Sequence, residues 1–130
     1  MYRQRFGLSH HPLPQDAKGR LFTPTPCYNK LDKRFRRTLD DPGVGVVIGN
    51  AGDGKTTCVR QATFALPHPN YQVIYLCDTA ASPLDFYRQL AREFGLHPSH
   101  RRAQLWHDIK AAVTQLVDEQ GTQPVIIVDE

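Results

Sequence analysis

The octapeptide Gly49-Asn50-Ala51-Gly52-Asp53-Gly54-Lys55-Thr56 constrains this chain more than any other stretch. It satisfies the pattern GxxxxGK[ST] in full. Just ahead of it lies Val44-Gly45-Val46-Val47-Ile48, apolar on both faces. Such a run predicts a buried strand, because a central strand of a parallel sheet is covered on both sides. Just behind it, Lys55 to about Ala65 reads as a helix, with Val59, Ala62 and Leu66 inward and Pro67 closing it. Strand, glycine-rich loop and helix, in that order, point to an α/β architecture.

The remaining elements extend the alternation. Residues 1–27 carry Pro12, Pro14, Pro24 and Pro26 without a clear period, and read as irregular structure packed on a core. Leu31, Phe35 and Leu39 then predict a short amphipathic helix whose outer face holds Lys30, Lys33, Arg34 and Arg37, ended by Asp41-Pro42-Gly43. Beyond the loop helix, Tyr71–Cys77 is the second expected strand. Ser82-Pro83-Leu84-Asp85 starts a further helix: serine caps, proline suits the first turn, and the carboxylate favours the positive helix end. Leu84, Tyr87, Leu90, Ala91 and Phe94 form its inward stripe, and Gly95 stops it. A longer helix is expected from about Arg101 to Glu119, with Leu105, Ile109, Ala112, Val113 and Leu116 on one face. Gly121–Pro124 breaks it, and Val125–Val128 is the third strand. The expected product is a doubly wound parallel sheet with right-handed crossovers, whose ligand sits at the carboxyl ends of the strands. The expected organisation is an N-terminal segment over residues 1–43 and the α/β domain over 44–130.

The loop has a chemical rationale. Phosphate oxygens need several donors converging from one side, and glycines let the backbone curl until successive N–H groups point into one concavity. Gly49, Asn50, Ala51, Gly52, Asp53 and Gly54 supply that curl, and the following helix adds its positive end. Lys55 brings a point charge for the β- and γ-phosphates, Thr56 a hydroxyl for Mg²⁺, and Thr57 a contact for the α-phosphate. Four aliphatic residues running into Asp129-Glu130 fit the acidic strand that partners such loops. Asp129 then holds Mg²⁺, usually through water, and Glu130 orients and deprotonates an attacking water. An acidic strand end alone is weak evidence, since many strands close in a solvated acidic turn; its weight comes from the loop.

Phosphate loop, intervening helices and a strand closing in Asp-Glu resemble the AAA+ ATPases, with their Walker A and Walker B motifs. The leader Phe6-Gly7-Leu8 and His11-Pro12, the phrase Tyr71–Leu76, and Ser82–Tyr87 are similar to the ExeA/TniB-type ATPases. That group includes helper ATPases of bacterial transposition related to TnsC. The resemblance implies a P-loop NTPase fold: a three-layer sandwich about a parallel sheet, here about three strands amounting to the first half of an AAA+ core. It implies ATP rather than GTP, in agreement with the absence of a guanine-reading NKxD motif. It places the acidic strand beside Val44–Ile48, with Tyr71–Cys77 further out. DNA, a transposase or other protein partner, and homo-oligomers come with the family. The polar sensor, arginine finger and helical lid expected after the acidic strand are missing. The chain is therefore expected to be truncated, to bind nucleotide weakly, and to hydrolyse it slowly or not at all. An unpaired sheet edge is expected to make it marginally stable and prone to associate.

Composition narrows the class. With 22% charged and 40% hydrophobic residues, the 130-residue chain reads as soluble and globular. No run approaches the roughly 18 apolar residues of a membrane span, and the first residues lead into no apolar stretch. Three cysteines without CxxC spacing favour a reducing, cytoplasmic setting. A net charge of +3 permits nucleic-acid contact without demanding it. Lys30, Lys33, Arg34 and Arg37, with Arg36 nearby, are one candidate DNA face, and Arg101, Arg102 and Lys110 a second, although charge on a helix face is usually solvation. His97, His100 and His107 read as surface histidines, not a zinc site, and Cys58 as a packed thiol. Asp78-Thr79 reads as a polar loop entering a helix. Three functions remain: an ATPase switch acting with a partner on DNA, a nucleotide-binding module without turnover, and a small-molecule kinase. Asp129-Glu130 disfavours the last, since an acidic base beside Mg²⁺ suits water attack.

Overall fold

In a computed structural model of the chain, residues 22–67, 69–77 and 82–129 are described. They fall into two units, one ending at Phe64 and the other beginning at Ala65. The leader phrases, Asp78-Thr79 and Glu130 lie outside the described residues.

In the first unit, α1 spans Pro26–Asp40. Thr25 caps it, its side chain accepting from the Tyr28 N–H at 3.2 Å, and Pro26 occupies the first turn, where a missing N–H costs nothing. The helix thus starts inside the stretch expected to be irregular; Thr25-Pro26 is a start signal, not a break. Leu39 is buried and Leu31 and Phe35 are half-buried, while Lys30, Lys33, Arg34, Arg36 and Arg37 are exposed, as the periodicity requires. Its inner face packs on α2, Lys55–Phe64, where Ala62 is fully buried, Thr63 is buried and Val59 is half-buried.

The strand expected at Val44–Ile48 is not formed. The segment carries no strand pairing, and Val44 and Ile48 are 95% and 91% exposed. A strand exists through its ladder. The described residues of this unit supply two helices and no strand to pair with. Apolar character on both faces was a correct reading of composition, but it does not create a partner.

The second unit is a strand–helix–helix–strand crossover. β1, Tyr71–Cys77, pairs in parallel with β2, Gln123–Asp129, from Tyr71 opposite Gln123 to Cys77 opposite Asp129. Between them run α3, Pro83–Glu93, and α4, Arg102–Asp118. Ser82 caps α3: its hydroxyl accepts from the Asp85 N–H at 3.3 Å and donates to the Asp85 carboxylate at 2.6 Å. Gly95, at φ 73°, ends it, with its N–H on the Arg92 carbonyl and the Leu96 N–H on the Ala91 carbonyl, both at 2.9 Å. That pair of bonds, closed by a left-handed glycine, is a Schellman stop. Ile74 and Leu76 of β1 form one core with Leu90, Ala91, Leu105 and Ile109. Their cross-strand partners Ile126 and Val128 are 43% and 53% exposed, so the helices cover the β1 side of that face more completely. β2 begins at Gln123, inside the expected break, and takes in Pro124 near its start, where proline is tolerated. Among the described residues the sheet has two strands.

Candidate phosphate-binding site

The loop between Ile48 and α2 is shaped by two glycines. Gly52 and Gly54 stand at φ 86° and 77°, the left-handed region that costs an L-residue about 1–2 kcal/mol and glycine almost nothing. A Cβ at either position would meet no heavy atom within 4 Å, so backbone geometry, not crowding, demands glycine there. Gly49 is different: its Cβ would lie 3.1 Å from Asp53 Oδ2 and 3.5 Å from Lys55 Cδ. Its missing side chain is space that Asp53 and Lys55 use.

The Gly54 carbonyl accepts from the Cys58 N–H at 2.9 Å and opens the α2 ladder. The N–H groups of Lys55, Thr56 and Thr57 therefore precede the first intrahelical bond and have no acceptor within the helix. They form its positive end, the part of a helix that takes anions. Lys55 and Thr56 are half-buried there, and Thr57 is exposed. The Lys55 ammonium donates to the carbonyls of Gly49 at 2.9 Å and Asn50 at 2.8 Å, which holds the charge over the loop. Across the loop the Asp53 N–H reaches the Asn50 carbonyl at 3.3 Å, and the Asn50 N–H donates to the Asp53 carboxylate at 2.7 Å. Residues 49–57 thus bring together one ammonium, two hydroxyls and a run of main-chain donors at a helix start. That donor set fits a polyanion and its accompanying divalent cation.

Sequence reasoning counted Asp53 among the phosphate-binding residues for its main chain. It missed that the side chain bonds within the loop. The available signal was a carboxylate inside a pattern meant for anions. Cys58, one turn on, is half-buried, and burial first, then Cys27, pushes its thiol pKa up, as suits a packed thiol. In the second unit, Asp129 is half-buried at the carboxyl end of β2, level with the end of β1.

The AAA domain family matches residues 36–130, which include the loop, α2 and the whole second unit. The chain belongs to the AAA domain family. Membership brings nucleotide binding and the P-loop NTPase α/β fold, with which the parallel strand pair and its helices agree. The chain is also similar to two phage proteins called ATP-dependent target DNA activator B, from Escherichia phage Mu and Escherichia phage D108. Each is 26% identical over 127 residues, covering 98% of this chain and 38% of the phage protein. The chain thus spans well under half the length of the curated relatives it matches. No solved structure matches. An AAA+ ATPase of the transposition-helper type, the resemblance drawn from the sequence, is what these matches support. No helix of this AAA domain, among the described residues, is long and apolar enough to cross a membrane.

Proposed function

We propose that the chain binds ATP with Mg²⁺ at residues 49–57 and forms part of a helper ATPase that acts on DNA with a transposase or similar partner. The observation that carries this reading is the loop itself. Two left-handed glycines, an ammonium fixed by loop carbonyls and a helix start converge within one short stretch of an AAA domain. The names of the two phage relatives support ATP and target DNA as the ligands.

In this reading the amides of the loop and of Lys55–Thr57 cradle the phosphates, and Lys55 offsets the charge of the β- and γ-phosphates. Thr56 and Asp129 would hold Mg²⁺, whose charge offsets that of the triphosphate oxygens. Glu130 is the proposed base for hydrolysis. The exposed row Lys30, Lys33, Arg34 and Arg37 is the proposed contact for a DNA backbone. Arg36 is engaged with Asp32 at 2.9 Å and Arg102 lies over the Tyr87 ring at 5.6 Å, so both serve the protein first. The chain is proposed to work within a cytoplasmic homo-oligomer.

Titration of a fluorescent ATP analogue with Mg²⁺ tests the core of the proposal. Lys55→Ala is expected to weaken binding at least tenfold, about 1.4 kcal/mol, and Glu130→Gln to leave binding intact while lowering single-turnover hydrolysis. Unchanged affinity in Lys55→Ala would remove the central assignment.

A further inference from the structure

The loop that offers donors to phosphate also contains an anion of its own. The Asp53 carboxylate takes the Asn50 N–H at 2.7 Å, a short, charge-assisted bond to one of the main-chain donors of the phosphate pattern. The same oxygen, Oδ2, lies 3.1 Å from where a Gly49 Cβ would stand, and Cδ and Cγ of Lys55 lie 3.5 and 3.6 Å from that same Cβ position. The carboxylate is therefore turned inward, into the curl between the first glycine and the lysine. The ammonium does not neutralise it: Lys55 Nζ is directed to the carbonyls of Gly49 and Asn50. The ion pairs among the described residues use other carboxylates, those of Asp32, Asp85 and Asp108.

We propose that Asp53 is a built-in competitor for phosphate, whose carboxylate occupies a loop amide and sets nucleotide affinity from within the site. This rests on the reading of residues 49–57 as a nucleoside triphosphate site. A phosphate oxygen that takes the Asn50 N–H must displace the carboxylate. Asp53 is exposed, so its side chain is free to rotate outward without disturbing a core. Even displaced, it remains attached to the loop, and its negative charge faces a polyanion a few ångströms away. Both effects lower affinity, and the second is screened by salt. Asp53 is thus an affinity-determining residue, set against the Lys55 that draws the same ligand in.

Titrating the 130-residue chain with a fluorescent ATP analogue and Mg²⁺ tests this, using wild type, Asp53→Asn, Asp53→Ala and Lys55→Ala. Asn keeps the size and an acceptor for the Asn50 N–H but removes the charge. Asp53→Asn is expected to bind about tenfold more tightly, and Asp53→Ala at least as tightly, with the advantage shrinking as ionic strength rises. Hydrogen exchange at the Asn50 amide is expected to quicken in Asp53→Ala. Equal or weaker binding by Asp53→Asn, with Lys55→Ala still disabled, overturns the role of Asp53 and leaves the phosphate loop standing. Unchanged exchange at Asn50 also overturns it. Loss-free binding by Lys55→Ala instead removes the loop reading on which the proposal rests.

Discussion

Replacing Gly54 by alanine isolates the backbone requirement of the loop. Gly54 stands at φ 77°, and a Cβ there would touch nothing within 4 Å. Steric clash therefore contributes nothing, and the cost is the left-handed conformation alone, about 1–2 kcal/mol. That energy falls on the loop conformation that presents the donors, so nucleotide affinity is expected to drop roughly 5- to 30-fold. Gly95, at φ 73° with equally open surroundings, provides the control. It closes α3 in the second unit, so Gly95→Ala is expected to lose about 1–2 kcal/mol of that unit's stability. Trp106, the single tryptophan, lies on α4 against the Tyr87 ring at 6.2 Å and reports unfolding of that unit by fluorescence. The expected pattern is crossed. Gly54→Ala weakens binding of the fluorescent nucleotide and leaves the Trp106 transition unmoved; Gly95→Ala does the reverse. If Gly54→Ala binds like wild type, the left-handed geometry is not needed for binding and the argument from the loop fails.

Two further substitutions test the second unit. Leu105 is fully buried, in the core with Ile74, Leu76 and Leu90, so Leu105→Ala is expected to cost about 2–5 kcal/mol in urea unfolding followed by circular dichroism; a loss near zero would show the site is not a core. Ser82→Ala removes the α3 cap and is expected to cost about 1 kcal/mol at neutral pH. It should also change the acid response, because the Ser82 hydroxyl, then Arg88, holds the Asp85 carboxyl below its usual value. A depressed carboxyl stabilises the fold above the ordinary carboxylate range and loses that contribution as pH falls through its lowered value. Unfolding of the variant is therefore expected to depend less on pH on the acid side, and an unaltered acid slope would refute the coupling.

How far the sequence was legible depended on the reach of each signal. β1 was read to its ends, and α3 and α4 to within a residue or two, because their caps and stripes are local. Ser82, Pro83 and Gly95 act on neighbours a few residues away, as the bonds at both ends of α3 show. The shape of the glycine-rich loop and the helix after it were legible for the same reason. Its glycines, its lysine and its helix start lie within nine residues of one another, from Gly49 to Thr57. Val44–Ile48 was misread because its signal concerned burial, which distant elements must supply. Asp53 was half-read: its place in the pattern was seen, but the direction of a carboxylate depends on which amide the curl presents.

That contrast bears on how the protein divides its work. The donors assigned to the phosphates are held by contacts inside residues 49–58, from the Lys55 ammonium on its own loop carbonyls to the Cys58 N–H on Gly54. Asp129, assigned to the metal, is positioned by the second unit, where its register with Cys77 follows from the β1–β2 ladder and the core behind it. Under the proposed function, nucleotide affinity and hydrolysis are thus assigned to separate pieces of structure. Weakening the α3–α4 core should erode turnover before it erodes binding, whereas a change within the loop should act on binding first.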